Sequence, residues 1–319
     1  MAQQLITGIH HVTALADNAQ KNVDFYAGIL GLRMVKKTIN FDAPDVYHLY
    51  YGNETGSPGT IMTFFPYEGL AKGRHGKGQM TVTSFSVPAT SLDYWLKRLK
   101  KFNIKHTEPQ QRFDHEVFVY FEDEHGLGLE LVFNNEDHRP GFSYGQIPLE
   151  FAVKGFYGAV LSEESYERTA ALLLEAMDHK LMVEKGNRIR YSASGKPGDF
   201  IDILWAPDAT RGLGGSGTIH HLAFATPDDQ SQLEAREKLL SKGFQVTPVI
   251  DRQYFHSIYF REPGGILFEV ATNPPGFSVD EPVSKLGEEL RLPDWYEKIR
   301  DKIEAGLTPI TLQVQKFMD

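Results

Sequence analysis

The chain has 319 residues and a mass of 36.0 kDa, long enough to bury a large core, and its 41% hydrophobic and 24% charged residues are those of a globular protein. A formal net charge of -9 and a pI near 5.8 exclude a broad nucleic-acid surface, which needs clustered Lys and Arg. The absence of cysteine excludes disulfides and zinc-thiolate sites, so any transition metal must be held by nitrogen and oxygen. Met1 to Thr7 lack a basic segment followed by an apolar run, and no apolar stretch approaches the roughly 20 residues of a membrane span. A cytoplasmic location is the expectation.

From Leu5 to Leu15 the residues suit a buried strand, and Asp17-Asn18 offers a helix N-cap. Val23, Tyr26, Ala27 and Leu30 follow at helical spacing, with Gly31 where the helix would stop. Arg33 to Asn40, Val46 to Tyr51 and Thr60 to Pro66 read as three strands, completing a βαβββ unit. Gly69 to Gly78 reads as an exposed connection. The second unit has strands at Met80 to Val87, Glu116 to Phe121 and Gly128 to Phe133, with a helix at Ser91 to Phe102. Asn134 to Pro148, polar and rich in turn residues, is the expected boundary between halves.

The third unit reads as a strand at Phe151 to Leu161, a helix near Tyr166 to Ala176, and strands near Leu181 to Glu184, Arg188 to Ser194 and Phe200 to Trp205. The fourth opens at Thr218, with a helix at Asp229 to Lys242 and strands at Gln245 to Pro248, His256 to Phe260 and Leu267 to Thr272. A segment rich in Pro and charge follows, with a short helix expected at Trp295 to Ala305. The expected organisation is an N-terminal half over 1–148, a C-terminal half over 149–273 and an extension over 274–319, in an α+β fold.

The units repeat. Shifting the fourth back by 139 residues, so that Glu269 falls on Glu130, also superposes Phe224 on Phe85, Pro227 on Pro88, Tyr259 on Tyr120, Phe260 on Phe121 and Gly265 on Gly126. A thinner match, shifted by 147, puts Gly155 on Gly8. The two halves read as duplicates.

Gly8-Ile9-His10-His11-Val12-Thr13 and Ile219-His220-His221-Leu222 open units one and four with one His-His-apolar pattern, and Glu269 lies 48 residues beyond His221 on a closing strand. Two histidines and a carboxylate on one side of a metal form the facial triad of iron(II) oxygenases, with the opposite side open. The repeat places Val82 opposite His221 and Gly158 opposite His11, so the middle units keep only Glu130, and a single site remains. For its ligands to meet, units one and four must share a sheet, leaving two and three to form the other. Adjacent strand residues point to opposite faces, which implies one ligand per His pair. His11 and His221 each stand seven residues before the polar position that opens the helix, Asn18 and Asp228, and are the choice. Thr13 shares a face with His11.

These strands, the Pro-Gly-Gly-x-x-x-Glu turn ending at Glu269, Asp251 to Phe255 and Ser257 to Gly265 resemble the vicinal-oxygen-chelate superfamily, and within it the hydroquinone ring-cleaving dioxygenase branch. The resemblance implies four βαβββ modules forming two curved mixed-sheet half-barrels, with modules one and four around the metal. It implies Fe(II), or Mn(II), on His11, His221 and Glu269, with His10, Thr13, His220, Arg252 and Tyr259 close to a small aromatic substrate that reacts with O2. A histidine near neutral pKa would help to deprotonate a hydroquinone. A homo-oligomer is also implied, with neither nucleic acid nor membrane as partner. The competing readings are a glyoxalase-type isomerase or lyase, which closes its metal with a further carboxylate for which Glu130 is available but, belonging to the middle pair of units, is expected away from the metal, and a bleomycin-resistance-like binding protein without metal chemistry.

Overall fold

Four runs of alternating apolar residues become four βαβββ modules in a computed structural model that describes residues 4–319. Met1 to Gln3, part of the opening stretch weighed for a leader, lie outside the described residues. Module one is β1 (Gly8–Ala16), α1 (Ala19–Val23), β2 (Arg33–Asn40), β3 (Ala43–Gly52) and β4 (Ile61–Pro66). Module two is β5 (Gln79–Pro88), α2 (Leu92–Lys101), β6 (Gln110–Arg112), β7 (Glu116–Glu122) and β8 (Gly128–Asn134). Module three is β9 (Gly155–Glu163), α3 (Glu167–Glu175), β10 (Lys180–Lys185), β11 (Arg188–Ser192) and β12 (Phe200–Trp205). Module four is β13 (Ile219–Thr226), α4 (Asp229–Ser241), β14 (Ile250–Asp251), β15 (Phe255–Arg261) and β16 (Leu267–Pro275).

The modules pair across the halves. One curled eight-stranded sheet runs β14-β15-β16-β13-β1-β4-β3-β2, and the other runs β10-β11-β12-β9-β5-β8-β7-β6. Modules one and four therefore share a sheet, as convergence of the ligands requires, and modules two and three share the second. Antiparallel pairing of β1 with β13 joins the first pair, and of β5 with β9 the second.

Alternation sorts the side chains of the first sheet. Val12, Leu49, Leu222, Ile258 and Phe268 enter the main core, which also takes Trp95 and Leu99 from α2. Their neighbours His11, His48, His221, Tyr259 and Glu269 are left for the inside of the curl. A second cluster with Val35, Tyr50, Ile61, Tyr254, Phe277 and Leu286 closes one end of that interior.

The structure departs from the sequence reading in several places; Phe151 to Lys154, expected to open the first strand of module three, lies before β9, with Leu149–Phe151 in a 3-10 turn. Gln245 to Pro248 does not form a strand; Thr247 donates one backbone hydrogen bond to Tyr259, and its hydroxyl accepts from the Tyr259 amide. Pro248 has no N–H to extend a ladder, so pairing resumes at Ile250. The helix of module one runs into a π-helical turn at Asp24–Ile29, whose Gly28 and Ile29 carbonyls accept from the buried Arg98 guanidinium. Gly69 to Gly78 is a strap, with backbone bonds from Gly73 to Ser216 and from Arg74 to Leu213 and back. The C-terminal helix divides into α5 (Asp294–Glu297) and α6 (Arg300–Gly306).

At the junction of modules three and four, Glu163 ends β9 beside the Pro263-Gly264-Gly265 turn. A Cβ on Gly264 would collide with the Glu163 carboxyl, and Gly265 has φ +105, so both glycines are required. Burial, then the neighbouring Glu262 carboxylate, pushes the Glu163 carboxyl from 4.5 up to about 8. The folded chain thus holds this proton more tightly than the unfolded one. Stability from this group is complete below pH 4.5 and is lost as pH rises through about 8. We expect Glu163→Gln to melt roughly 2 °C or more above the unsubstituted chain at high pH, with the gap closing in acid, in thermal unfolding followed across pH.

Candidate metal centre

His11 and His221 lie diagonally across the β1–β13 pair, and Glu269 lies beside Ala223 on the parallel strand β16. The three side chains are buried, and their ligand atoms lie together. His11 Nε2 is 3.2 Å from His221 Nε2, and Glu269 Oε2 is 3.0 Å from His221 Nε2 and 3.4 Å from His11 Nε2.

The second histidine of each pair explains why those nitrogens carry no protons. Ile9 pairs with Phe224 and His11 with Ala223, leaving His10 as the extra residue of a β-bulge. Thr13 pairs with His221 and Ala14 with Ile219, leaving His220 extra on the other strand. The bulges overrule simple alternation, so adjacent imidazoles meet: His10 Nδ1 is 2.9 Å from His11 Nδ1, and His220 Nδ1 is 2.8 Å from His221 Nδ1. His10 also hydrogen-bonds the Thr272 backbone, where only a ring N–H can donate to the carbonyl. Its Nδ1 is then an acceptor, His11 Nδ1 is the donor, and His11 Nε2 presents a lone pair. His221 presents its Nε2 lone pair in the same way when its Nδ1 proton is donated to His220 Nδ1.

Burial and the adjacent His11 hold His10 down to about 3, and burial and His221 hold His220 down to about 4, so both rings are neutral at physiological pH. Burial raises the Glu269 carboxyl, but positive charge at His11 and His221 outweighs it and holds the carboxyl well below its ordinary range; a cation held by the neutral rings would supply that charge. Glu269 Oε1 accepts from the Ser257 hydroxyl, while the buried Oε2 has no hydrogen-bond partner.

Two lone pairs and a carboxylate oxygen at this spacing repel one another, and an unpartnered buried carboxylate oxygen costs several kcal/mol. A divalent cation removes both penalties. Ligands about 2.1 Å from one ion at right angles are about 3.0 Å apart, and the observed triangle fits that spacing. The nitrogen and oxygen donor set suits Fe, Mn and similar ions.

A pocket of about 230 Å³ opens above the triad. His220, Arg252 and Tyr259 line it, as do His48, Tyr50 and the rings of Phe41, Phe65 and Phe255. Arg252 Nε donates to the Tyr259 hydroxyl at 3.1 Å, and Arg252 also pairs with Asp42 at 3.1 Å across the mouth. Those two partners outweigh burial and raise the Arg252 pKa, and burial followed by Glu269 raises that of Tyr259, so the guanidinium stays charged and the phenol neutral.

His10 and Thr13 stand elsewhere. His10 borders a separate cavity with Tyr254 and Phe277, and fully buried Thr13 bonds Thr63 at 3.1 Å. Thr63 continues at 2.7 Å to His48 Nε2, whose Nδ1 lies 2.8 Å from the Tyr50 hydroxyl. Sequence reasoning missed His48 and Tyr50, although their spacing on β3 puts both opposite the core-facing Leu49 and Tyr51. Glu130 belongs to the second sheet, where Ser84 donates to it at 2.7 Å and Arg112 pairs with it at 2.9 Å. It is no ligand of this centre.

Paired βαβββ modules around a buried His-His-Glu cluster define a class of metal-centre proteins. The family model of the Glyoxalase/Bleomycin resistance protein/Dioxygenase superfamily matches residues 8–131 and 157–270. Over 306 residues the chain is 48% identical to the "Putative ring-cleaving dioxygenase MhqO" of Bacillus subtilis, covering 96% of this chain and 97% of that one. It is 33% identical over 307 residues to the chlorohydroquinone/hydroquinone 1,2-dioxygenase of Sphingobium indicum, with 93% and 95% covered. A crystal structure of a "putative dioxygenase" from Bacillus subtilis superposes with a TM-score of 0.94 at 47% identity, over 98% of this chain and 99% of that one. The chain belongs to this superfamily, in the branch of the ring-cleaving dioxygenases.

One divalent ion per chain is expected by titration calorimetry with Mn(II) or anaerobic Fe(II), and Glu269→Gln should weaken it by more than about 100-fold. His10→Leu removes only the partner of His11 Nδ1 and should weaken the ion about 10- to 100-fold without changing the stoichiometry.

Proposed function

We propose that this protein is an Fe(II)-dependent dioxygenase that opens the ring of a single-ring hydroquinone. The observation that carries the reading is the convergence of His11 Nε2, His221 Nε2 and Glu269 Oε2 within 3.4 Å at the base of a pocket walled by aromatic rings. The names of the two relatives, one of them a hydroquinone dioxygenase, support the reaction class. A cavity of about 150 Å³ accepts benzene, so the 230 Å³ here suits one substituted ring.

Bound Fe(II) supplies a Lewis acid that acidifies a phenol and a redox centre able to pass electrons to dioxygen. The protein holds the geometry. Phe41, Phe65 and Phe255 flank the ring and keep water from it. Arg252 fixes the Tyr259 oxygen as an acceptor, leaving the Tyr259 proton to donate to a substrate oxygen, while the guanidinium offsets negative charge developing there. When His220 Nδ1 accepts the His221 proton, His220 has its Nε2–H to donate rather than a lone pair to take a proton. His48 is held neutral by burial, then by His11, His221 and Arg252, and the chain from Thr13 through Thr63 to His48 and Tyr50 fixes that wall. His10 and Thr13 are positioning residues in this scheme.

Anaerobically purified protein loaded with Fe(II) is expected to consume oxygen with a hydroquinone and to yield a ring-opened acid. No uptake with any phenol, together with turnover of a thiol hemiacetal, would sink the reading. Arg252→Met should lower kcat/KM about 10²-fold, and Tyr259→Phe should act mainly on kcat, both with metal affinity retained.

A further inference from the structure

The two half-barrels differ at the end that lies beside the bulged residue of their first strand. Strand pairing sets the equivalences: Arg190 faces Asp202 on β11 and β12 as Tyr50 faces Thr63 on β3 and β4. Val183 faces Arg190 as Lys36 faces Tyr50. In the first half-barrel this end is a cavity of about 230 Å³ bordered by His10, Ile61, Tyr254 and Phe277. In the second, the corresponding Tyr157, Phe200, His115 and His138 border a cavity of about 810 Å³, within the usual range for small-molecule sites.

The first cavity is small because the chain fills it. The Phe277 ring sits 5.1 Å from Tyr254 and 5.0 Å from Tyr50. Its segment is locked by the fully buried Lys36, whose ammonium meets Asp280 and Glu281. In the second half-barrel the exposed His138 stands in place of Phe277, and Val183 in place of Lys36. The chain turns away there through Arg139, which pairs with Asp137 at 2.6 Å and donates to the Gly59 carbonyl. The aromatic plug and its ionic lock are both missing from one copy of a duplicated barrel.

The walls left open are Phe113, Tyr157, Phe200, Met182, Val183 and Pro197. The Arg190 guanidinium lies against the rings of Phe113 and Phe200 at 4.6 and 4.7 Å, but Glu116 and Asp202 already neutralise it at 2.5 and 2.6 Å. Exposed Lys196 and Glu136 at the rim have opposite signs. A charged ligand would therefore be desolvated without a counter-charge. His115 Nδ1 lies 2.6 Å from the Phe113 carbonyl and must carry its proton, which leaves Nε2 as an acceptor for a hydroxyl.

We propose that the open end of the second half-barrel is a binding site for a neutral aromatic molecule of one or two rings, an un-ionised phenol, separate from the metal centre. The ring takes the space that Phe277 takes in the other copy, and the hydroxyl donates to His115. The site does not depend on the reaction proposed for the metal centre.

The probe is 2-naphthol, un-ionised at neutral pH, titrated into the full-length chain with methyl-labelled methionine. Met182 lies on the cavity wall, and its methyl resonance, assigned through Met182→Leu, should show a saturable ring-current shift. Val183→Phe, which fills the cavity, should weaken binding about tenfold or more, and 2-naphthoate should bind about fivefold more weakly than 2-naphthol. A Met182 resonance unmoved in the unsubstituted chain overturns the proposal without recourse to any variant. So does Val183→Phe affinity within about twofold of the original, or 2-naphthoate binding as tightly as 2-naphthol.

Discussion

Two imidazole nitrogens and a carboxylate oxygen lie within 3.4 Å of one another in a buried pocket, and their crowding constrains the strands around it. Each donor is fixed from behind: His11 by His10, His221 by His220, and Glu269 by Ser257. These partners stop the rings from turning away. The bulges at His10 and His220 make the arrangement possible, because in a regular strand the two rings of each pair would point to opposite faces.

The second sheet shows another answer to the same problem. Its β5–β9 pair keeps both irregularities, with Thr81 and Tyr157 as the extra residues at the positions of His220 and His10. It also keeps the carboxylate, Glu130. The lost imidazoles leave no cluster for a metal, and the compensating cations come from side chains. Arg112 joins Glu130 and Glu116, and Arg190 joins Glu116 and Asp202. One sheet thus leaves its carboxylate oxygen without a hydrogen-bond partner beside two imidazoles, while the other neutralises it with guanidinium groups. The same bulges occur in the copy that has no imidazole pair, which locates them in the fold rather than in the metal site.

Strand positions were largely legible because runs rich in apolar and β-branched residues are bounded by turn residues: Arg33 to Asn40 and Phe200 to Trp205 have the bounds that the sequence suggested. Gln245 to Pro248 misled because its residue types suit a strand while its proline interrupts the ladder. His48 was hidden because a lone strand histidine carries no signal until Thr63 and Tyr50, distant or unremarked in sequence, close around it. Gly69 to Gly78 reads as no more than an exposed connection because most of its backbone partners lie far along the chain, at Ser162 and at Thr210 to Ser216.

The sequence by itself determined the repeat, the crossed pairing of modules and the trio of His11, His221 and Glu269, because ligand types and a repeated pattern are local properties that spacing reveals. Only the tertiary structure decided what the second histidine of each pair does. Whether adjacent residues diverge or meet depends on a register shift of one residue between strands some 200 positions apart, and hydrogen bonding across that shift sets each proton. It also decided which barrel end is filled. That depends on where the segments after β8 and β16 turn, a matter of long-range packing that no local pattern encodes.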